Sequence, residues 1–253
     1  MTQVEVRPTN RTGEPEGTIA VATGSNPRCN SFWDCLSAVL MRHPNVQYSR
    51  NEGLFTAVNR NNAVAKMKGD WIWFLDDDMQ FPGDILDKLL ARNKPVIGPL
   101  YLMRYPPFNA ITADPVEGED KWYRHALIPE LPKELMRCGF LGGAGLLVRR
   151  EVFAQLEEPY FAQPLTPDMK DYVTDDYYFC KNCIDHGVEV WADMVNVMGH
   201  QTVCTLAPAR DPATGQWFTK LVIGGKMYLL PQEPGKSVHK QDLTPGKPIP
   251  TKD

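Results

Sequence analysis

Residues 71–75 read WIWFL, five apolar positions without a polar break, and three aspartates follow directly (Asp76, Asp77, Asp78) before the turn signal Pro82-Gly83. An unbroken apolar run of this length, bounded by turn formers, predicts a strand covered on both faces. Residues 18–23 (TIAVAT), closed by Gly24-Ser25-Asn26-Pro27, and residues 95–102 (PVIGPLYL) carry the same pattern. Residues 46–49 make a weaker strand. Between these runs the spacing changes to that of a helix. Phe32, Cys35, Leu36, Val39 and Leu40 follow a cap at Asn30 or Ser31. A second helix lies within residues 53–69, carrying Leu54, Val58 and Ala65, and a third opens at Pro82 with Ile85, Leu86, Leu89 and Leu90 on one face. Strands alternating with helices predict an α/β fold with mainly parallel strands and helices on both sheet faces.

The second half of the chain is patterned differently. Residues 108–112 and 121–126 read as strands across a polar loop. In residues 138–153 (CGFLGGAGLLVRREVF) a glycine-rich bend joins two apolar runs, and a helix starts near Arg150. A helix over residues 174–187 has Thr174 as its cap and Gly187 as its stop. Residues 188–193 alternate as a strand, and WFTKLVIGG with KMYLL reads as a late hairpin. The expected division is an irregular arm over residues 1–17, one domain over 18–230 and a Pro/Lys-rich extended tail over 231–253.

The chain has 253 residues with 43% hydrophobic content, enough for a substantial core. A formal charge of −4 and a pI near 5.8 argue against a protein built for non-specific nucleic-acid binding. Six scattered cysteines and a polar beginning predict reduced thiols and a cytoplasmic protein without a transmembrane segment. Cys180 and Cys183 lack a second such pair, so they read as ordinary helical thiols.

The chemistry gathers at the acidic positions. Ligands of a parallel α/β sheet bind at the carboxyl ends of its strands, where Asp76, Asp77 and Asp78 stand. Alternation lets Asp76 and Asp78 converge while Asp77 points elsewhere, and hard oxygen donors suit Mn²⁺ or Mg²⁺. No segment of the form GxxxxGK[ST] follows an earlier strand, which excludes a P-loop site.

Residues 60–78 (RNNAVAKMKGDWIWFLDDD) resemble the signature of family 2-like glycosyltransferases of the GT-A fold: Arg60-Asn61, Ala63, Gly69, then a strand ending in Asp-x-Asp. The resemblance continues in order through the glycine-rich block, the acidic pair Asp175-Asp176 heading a helix, and His200, covering residues 18–205. It implies a GT-A-like nucleotide-binding sheet with a smaller β element, and transfer of a sugar from a nucleotide-sugar donor, a UDP-sugar, to an acceptor hydroxyl. The acceptor class stays open among glycan, lipid-linked sugar, protein and modified nucleic acid. The resemblance assigns Asp76, Asp78 and His200 to the metal, and Asp76 also to the ribose. Thr23, Arg28, Arg60, Asp77, Gly142 and Gly143 fall to the donor. Asp176 becomes the base, with Asp175 beside it where many relatives carry Glu. A base at Asp176 favours inversion, whereas a metal-binding histidine also occurs in retaining branches of the fold. Two rivals stand against this reading. A nucleotidyltransferase shares such a sheet but needs a glycine-rich, basic phosphate loop, which is absent after the first strand. A non-catalytic nucleotide or sugar-binding module would not need the acidic positions intact.

Overall fold

The structure, a computed structural model, describes residues 13–23, 30–53, 55–104, 108–115, 123–125, 132–166, 169–210, 213–214 and 217–231. Within these, Arg28, Leu54, Trp122 and the tail from 232 onward are not included, so expectations placed on them lie outside the described residues. In chain order the first half forms β1 (Thr18–Thr23), α1 (Asn30–Arg42), β2 (Gln47–Glu52), α2 (Thr56–Lys66), β3 (Trp71–Asp76), β4 (Met79–Gln80), α3 (Ile85–Ala91) and β5 (Val96–Leu100). There follow β6 (Thr112–Pro115), β7 (Tyr123–His125), β8 (Leu135–Arg137), β9 (Phe140–Leu141), β10 (Leu147–Arg149) and the short α4 (Arg150–Phe153). The remainder is α5 (Asp175–Asp185), β11 (Val190–Val197), β12 (Gly199–His200), β13 (Thr205–Arg210), β14 (Trp217–Ile223) and β15 (Lys226–Pro231).

The apolar run of β3 lies inside a seven-stranded sheet of order β2-β1-β3-β10-β5-β11-β8. Alternation along β3 splits its side chains between two cores. Ile72 and Phe74 join Ala63 and Val64 of α2 and Phe179, Cys180 and Cys183 of α5. Trp71, Trp73 and Leu75 join Phe32, Leu36 and Val39 of α1 and Ile85, Leu86 and Leu89 of α3. Helices therefore cover both sheet faces, as the sequence pattern implies, and this is why β3 needs no polar face. The sheet is an α/β sheet of the GT-A kind, with β1, β2, β3, β5 and β11 running in one direction.

The strand of the glycine-rich block, β10, whose direction the sequence pattern left open, inserts antiparallel between β3 and β5. Other local expectations are corrected. Helix α3 starts at Ile85, whose N–H donates to the Pro82 carbonyl, and not at Pro82. On α2, Val58 is 54% exposed, and the inward face is Ala57, Asn59, Arg60, Ala63 and Val64. An arginine thus occupies a core-facing position of this helix. Strand β11 continues four residues past the predicted strand, with its register against β5 shifting between Asp193 and Val197. The helix at 174–187 is as expected: α5 follows Thr174, and Gly187 closes it with a left-handed φ of 76°.

Two compact units emerge. One comprises Met1–Met103 and Asn109–Gln201, and the other Arg104–Phe108 and Thr202–Asp253. The second holds an antiparallel sheet of β13, β14 and β15. The late hairpin is its β14–β15 pair, turning through Gly224 and Gly225 at φ 56° and 76°, as a tight two-residue hairpin requires. Strand β13, which lacks a clear alternation, was not anticipated. Cys35, Cys180, Cys183 and Cys204 are free thiols, with Cys180 and Cys183 packed in the core. Among the described residues no helix is long and apolar enough to cross a membrane.

Candidate active site

The inward position of Arg60 on α2 aims a guanidinium at the carboxyl end of the sheet. Its Nη1 donates to Asp175 at 2.5 Å and its Nη2 to Asp76 at 3.1 Å. One buried cation thereby joins the end of β3 to the first turn of α5. Thr56, one turn before Arg60 on α2, donates to the other Asp175 oxygen at 3.0 Å. Burial alone would depress the Arg60 pKa, but the fields of Asp76, Asp175 and Asp176 outweigh it and hold the guanidinium above its ordinary value. Removal of such a cation would leave two acids uncompensated, so α2, β3 and α5 are bound together at this edge.

Asp76 and Asp78 take different partners. β3 ends at Asp76, and after a two-residue turn β4 pairs with β12, matching His200 to Met79 and Gly199 to Gln80. The Gln201 N–H donates to the Asp78 carbonyl at 2.8 Å, and the Gln201 side chain bonds Ser31 of α1. This short pairing carries His200, 122 residues later in the chain, to Asp78: Nε2 lies 3.4 Å from Oδ2. The Leu102 carbonyl, 2.9 Å from His200 Nδ1, can only accept, so Nδ1 carries the hydrogen. In the neutral ring, the Nε2 lone pair then faces the Asp78 side, the tautomer that a metal-binding histidine needs. Tyr101 packs edge-on against this imidazole, with ring centroids 5.7 Å apart.

Asp176 follows Asp175 at the head of α5. Its Oδ1 accepts the Tyr177 N–H at 2.8 Å and its Oδ2 the Gly143 N–H at 3.2 Å. Burial raises its carboxyl pKa; Arg60 opposes the shift, Asp175 adds to it, and hydrogen bonds from Thr174 and Gly143 lower it, leaving the net direction upward. Asp76 is one third exposed on its side chain. Its withdrawal from solvent raises its carboxyl, Arg60 lowers it, and Asp78, Asp175 and Asp176 raise it again, with a net upward shift. Three aspartates thus share one guanidinium.

The glycine-rich segment is explained by these partners. A Cβ at Gly143 would overlap the Arg60 guanidinium, and one at Gly142 would overlap the Tyr101 hydroxyl. Glycine lets the backbone lie against both groups and frees the Gly143 N–H for Asp176. The next amide, Ala144, donates to the Tyr101 hydroxyl at 3.1 Å.

Of the residues singled out in the sequence, Arg60, Asp76, Asp175, Asp176 and Gly143 are joined directly, with Gly142 adjoining them. Asp78 and His200 form a neighbouring pair, and Asp77 occupies the turn between β3 and β4. Thr23 reaches the same sheet edge, since Ala22 is level with Asp76, but its hydroxyl donates to the Asn51 carbonyl. Arg28 lies outside the described residues. Sequence reasoning missed Thr56 and Tyr101. The latter had a signal, because it stands immediately after β5 at the ligand edge. Among the described residues, no group of three or more His, Cys, Asp or Glu side chains converges into a metal cluster. The Asp78–His200 pair is chemically suited to a divalent cation whose shell is completed from elsewhere, since carboxylate oxygen and imidazole nitrogen both bind Mn²⁺.

The profile described as glycosyl transferase family 2 matches residues 12–156, which include α2, β3, the three aspartates and the glycine-rich block. No curated protein sequence matches the chain. Among solved structures, A197 from STIV is similar over 88% of this chain and 98% of its own, at 13% identity and a TM-score of 0.44. The inositol-1-phosphate CTP transferase from T. maritima is similar over 73% of this chain and 69% of its own, at 10% identity and a TM-score of 0.37.

Proposed function

The chain belongs to glycosyl transferase family 2, and from that premise we propose that it is a metal-dependent glycosyltransferase moving a sugar from a nucleotide-sugar donor, a UDP-sugar, to an acceptor hydroxyl. The observation that carries this reading is the division of labour at the end of β3. Asp76 is held by Arg60 beside the acidic head of α5, while Asp78 is matched to His200 by the β4–β12 pairing.

In this reading Asp78 and His200 hold Mn²⁺ or Mg²⁺, with Asp76 at the ribose or the edge of the metal shell. The bound cation supplies Lewis-acid stabilisation of the departing diphosphate. Asp176 removes the acceptor proton; its two oxygens are oriented by the Tyr177 and Gly143 amides, which leaves lone pairs for that proton. Asp175 is a positioning residue, because Arg60 and Thr56 engage both of its oxygens. Arg60 keeps the carboxylates of β3 and α5 together, so the nucleotide side and the acceptor side of the reaction share one rigid support. Gly142 and Gly143 bring the backbone of this support close to the donor sugar, and Thr23 and Asp77 stand on the nucleotide side.

The test is incubation with nucleotide sugars and Mn²⁺, reading the released nucleotide. Nucleoside diphosphate release that is abolished in Asp78→Ala, with the circular-dichroism spectrum unchanged, is the expected result. Full release by Asp78→Ala would remove the proposed metal site. Pyrophosphate release would instead identify nucleotidyl transfer, and no turnover with any donor would identify a binding module.

A further inference from the structure

The second compact unit has a charge unlike that of the rest of the chain. Its residues, Arg104–Phe108 and Thr202–Asp253, carry eight Lys or Arg against four Asp or Glu. The remaining residues carry 19 against 27. Neither 202–210 nor 217–231 contains a single Asp or Glu, so the strands of the β13–β14–β15 sheet are uniformly non-acidic.

Among the residues of this sheet and the segment leading into it whose side chains are described, three large apolar groups are exposed, and all three stand toward the hairpin-turn end. Strand register sets Thr205 opposite Val222 and Val222 opposite Met227, and Ile223 opposite Lys226, next to the Gly224-Gly225 turn. The beginning of β13 and the tip of the β14–β15 hairpin are therefore neighbours. Exposed side chains cluster here: Val203 at 87%, Leu206 at 63% and Met227 at 48%. The turn itself carries no side chain, and Lys226 follows it directly. Lys220 lies three residues before Ile223 on β14. Arg210 and Trp217 pair at the opposite end of the sheet.

A glycine tip with Lys226 beside it, flanked by aliphatic side chains and with Lys220 further back on β14, matches a water–lipid boundary. Aliphatic groups gain from leaving water, and lysine stems extend along apolar surface while their ammonium groups meet lipid phosphates. Interfacial insertion reaches about 5–10 Å, which is two or three residues along a strand at about 3.4 Å each. That span takes in Ile223 to Met227 and the neighbouring start of β13. A nucleic acid would draw on the lysines but would gain nothing from Val203, Leu206 and Met227, since base recognition uses aromatic stacking or hydrogen bonds.

We propose that the Gly224-Gly225 hairpin tip, with Val203, Leu206, Met227, Lys220 and Lys226, docks the protein on the surface of an anionic lipid bilayer. Docking holds the protein at the surface without crossing it and requires no turnover, so it stands or falls separately from the transferase reading.

The experiment is flotation of the full chain with vesicles of phosphatidylcholine alone and of phosphatidylcholine containing phosphatidylglycerol. Binding to the anionic vesicles that weakens steeply with salt is expected. A lysine near such a surface contributes about a fivefold gain in partitioning, so the double variant K220E/K226E should bind at least about tenfold more weakly. M227S with V203S should also weaken binding, at unchanged salt dependence, because it removes the apolar contribution alone. All four positions lie outside the candidate active site, so nucleotide release and the melting temperature serve as controls of folding. Absence of binding to anionic vesicles at low salt, or equal binding by K220E/K226E, would overturn the proposal. So would light scattering that shows a dimer lost in the same variants, which would assign the tip to a second copy, or retention on nucleic acid in place of vesicles.

Discussion

At the scale of single residues, the site is organised by one cation among several anions. Arg60 is a core-facing residue of α2 at 4% exposure, a position that a charged side chain holds only when it is paired. Its partners Asp76 and Asp175 are separated from it by 16 and 115 residues. Asp176 titrates in the same field. Burial raises its carboxyl above the ordinary aspartate value of 3.8, with Arg60 opposing and Asp175 assisting. A base acts when deprotonated, so protonation of Asp176 switches activity off on the acid side, at a pH above that of an exposed aspartate. The expected kcat/KM profile therefore rises with pH through that raised value. Asp176→Asn should lower turnover by about 10²–10⁴-fold, the range of a general base, and remove that limb from what is left. An unchanged acid limb in Asp176→Asn would assign the titration to another group, with Asp76 the next to test.

At the scale of elements, much of the frame was legible because burial leaves a periodic trace. β1, β3 and β5 stand in the sequence as apolar runs, and α1 and α5 as helical spacings, α5 between Thr174 and its stop at Gly187, whereas Asn30 and Ser31, expected to cap α1, lie within its first turn. The acidic end of β3 was legible for the same reason, since a strand edge fixes where its next residues fall. Three features left no such trace. The antiparallel β10 is a three-residue strand whose direction depends on its neighbours. The face of α2 was misread because apolar Val58 points outward while Arg60 points in, paired to acids that local patterning cannot reveal. The course of β11 was too short in the reading because its later half is held by polar bonds. Asp193, with 0% exposure, accepts from Arg92, from the Val195 and Asn196 amides and from the Asn196 side chain. These bonds surround the point where β11 shifts register, and β12 with His200 follows within seven residues. Burial raises the Asp193 carboxyl, but the bonds from Arg92 and Asn196 outweigh it and lower the net pKa. A lowered carboxyl stabilises the fold above the ordinary aspartate value, and that contribution is lost as pH falls through the lowered one. Asp193→Ala should thus cost about 3 kcal/mol in urea unfolding near neutral pH, from unbonded amides and an unpaired guanidinium. The wild type and variant should converge in acid. A loss below about 0.5 kcal/mol would show that the bulge is held by backbone pairing alone.

At the scale of the whole molecule, charge and fold are coupled through the ligand edge of the sheet. Outside the second unit the chain carries 27 acidic against 19 basic side chains. Asp76, Asp175 and Asp176 surround Arg60, and Asp78 adds to the field on Asp76. An acid whose pKa is raised in the folded state opposes folding once pH exceeds its ordinary value, and Asp76 and Asp176 both do so. The free protein at neutral pH therefore carries electrostatic strain at this edge, which a divalent cation would relieve. A ligand that binds only the folded chain stabilises it by about 2.7 kcal/mol at a hundred times its Kd. For a domain near this size that corresponds to a rise of roughly 5–10 °C in melting temperature. We expect this rise with Mn²⁺ at neutral pH, and a smaller one near pH 4, where protonation of the raised carboxyls of Asp76 and Asp176 has already removed part of the repulsion. Without metal, Asp78→Ala removes one charge that raises Asp76 and also the contact with His200, so the variant is compared with its own metal-free melting temperature, and it should lose most of the shift. His200→Ala should lose part of it, since one of the two donors stays. Equal shifts in wild type and Asp78→Ala would place the cation elsewhere on the acidic surface and separate metal binding from the strand end that organises the rest of the site.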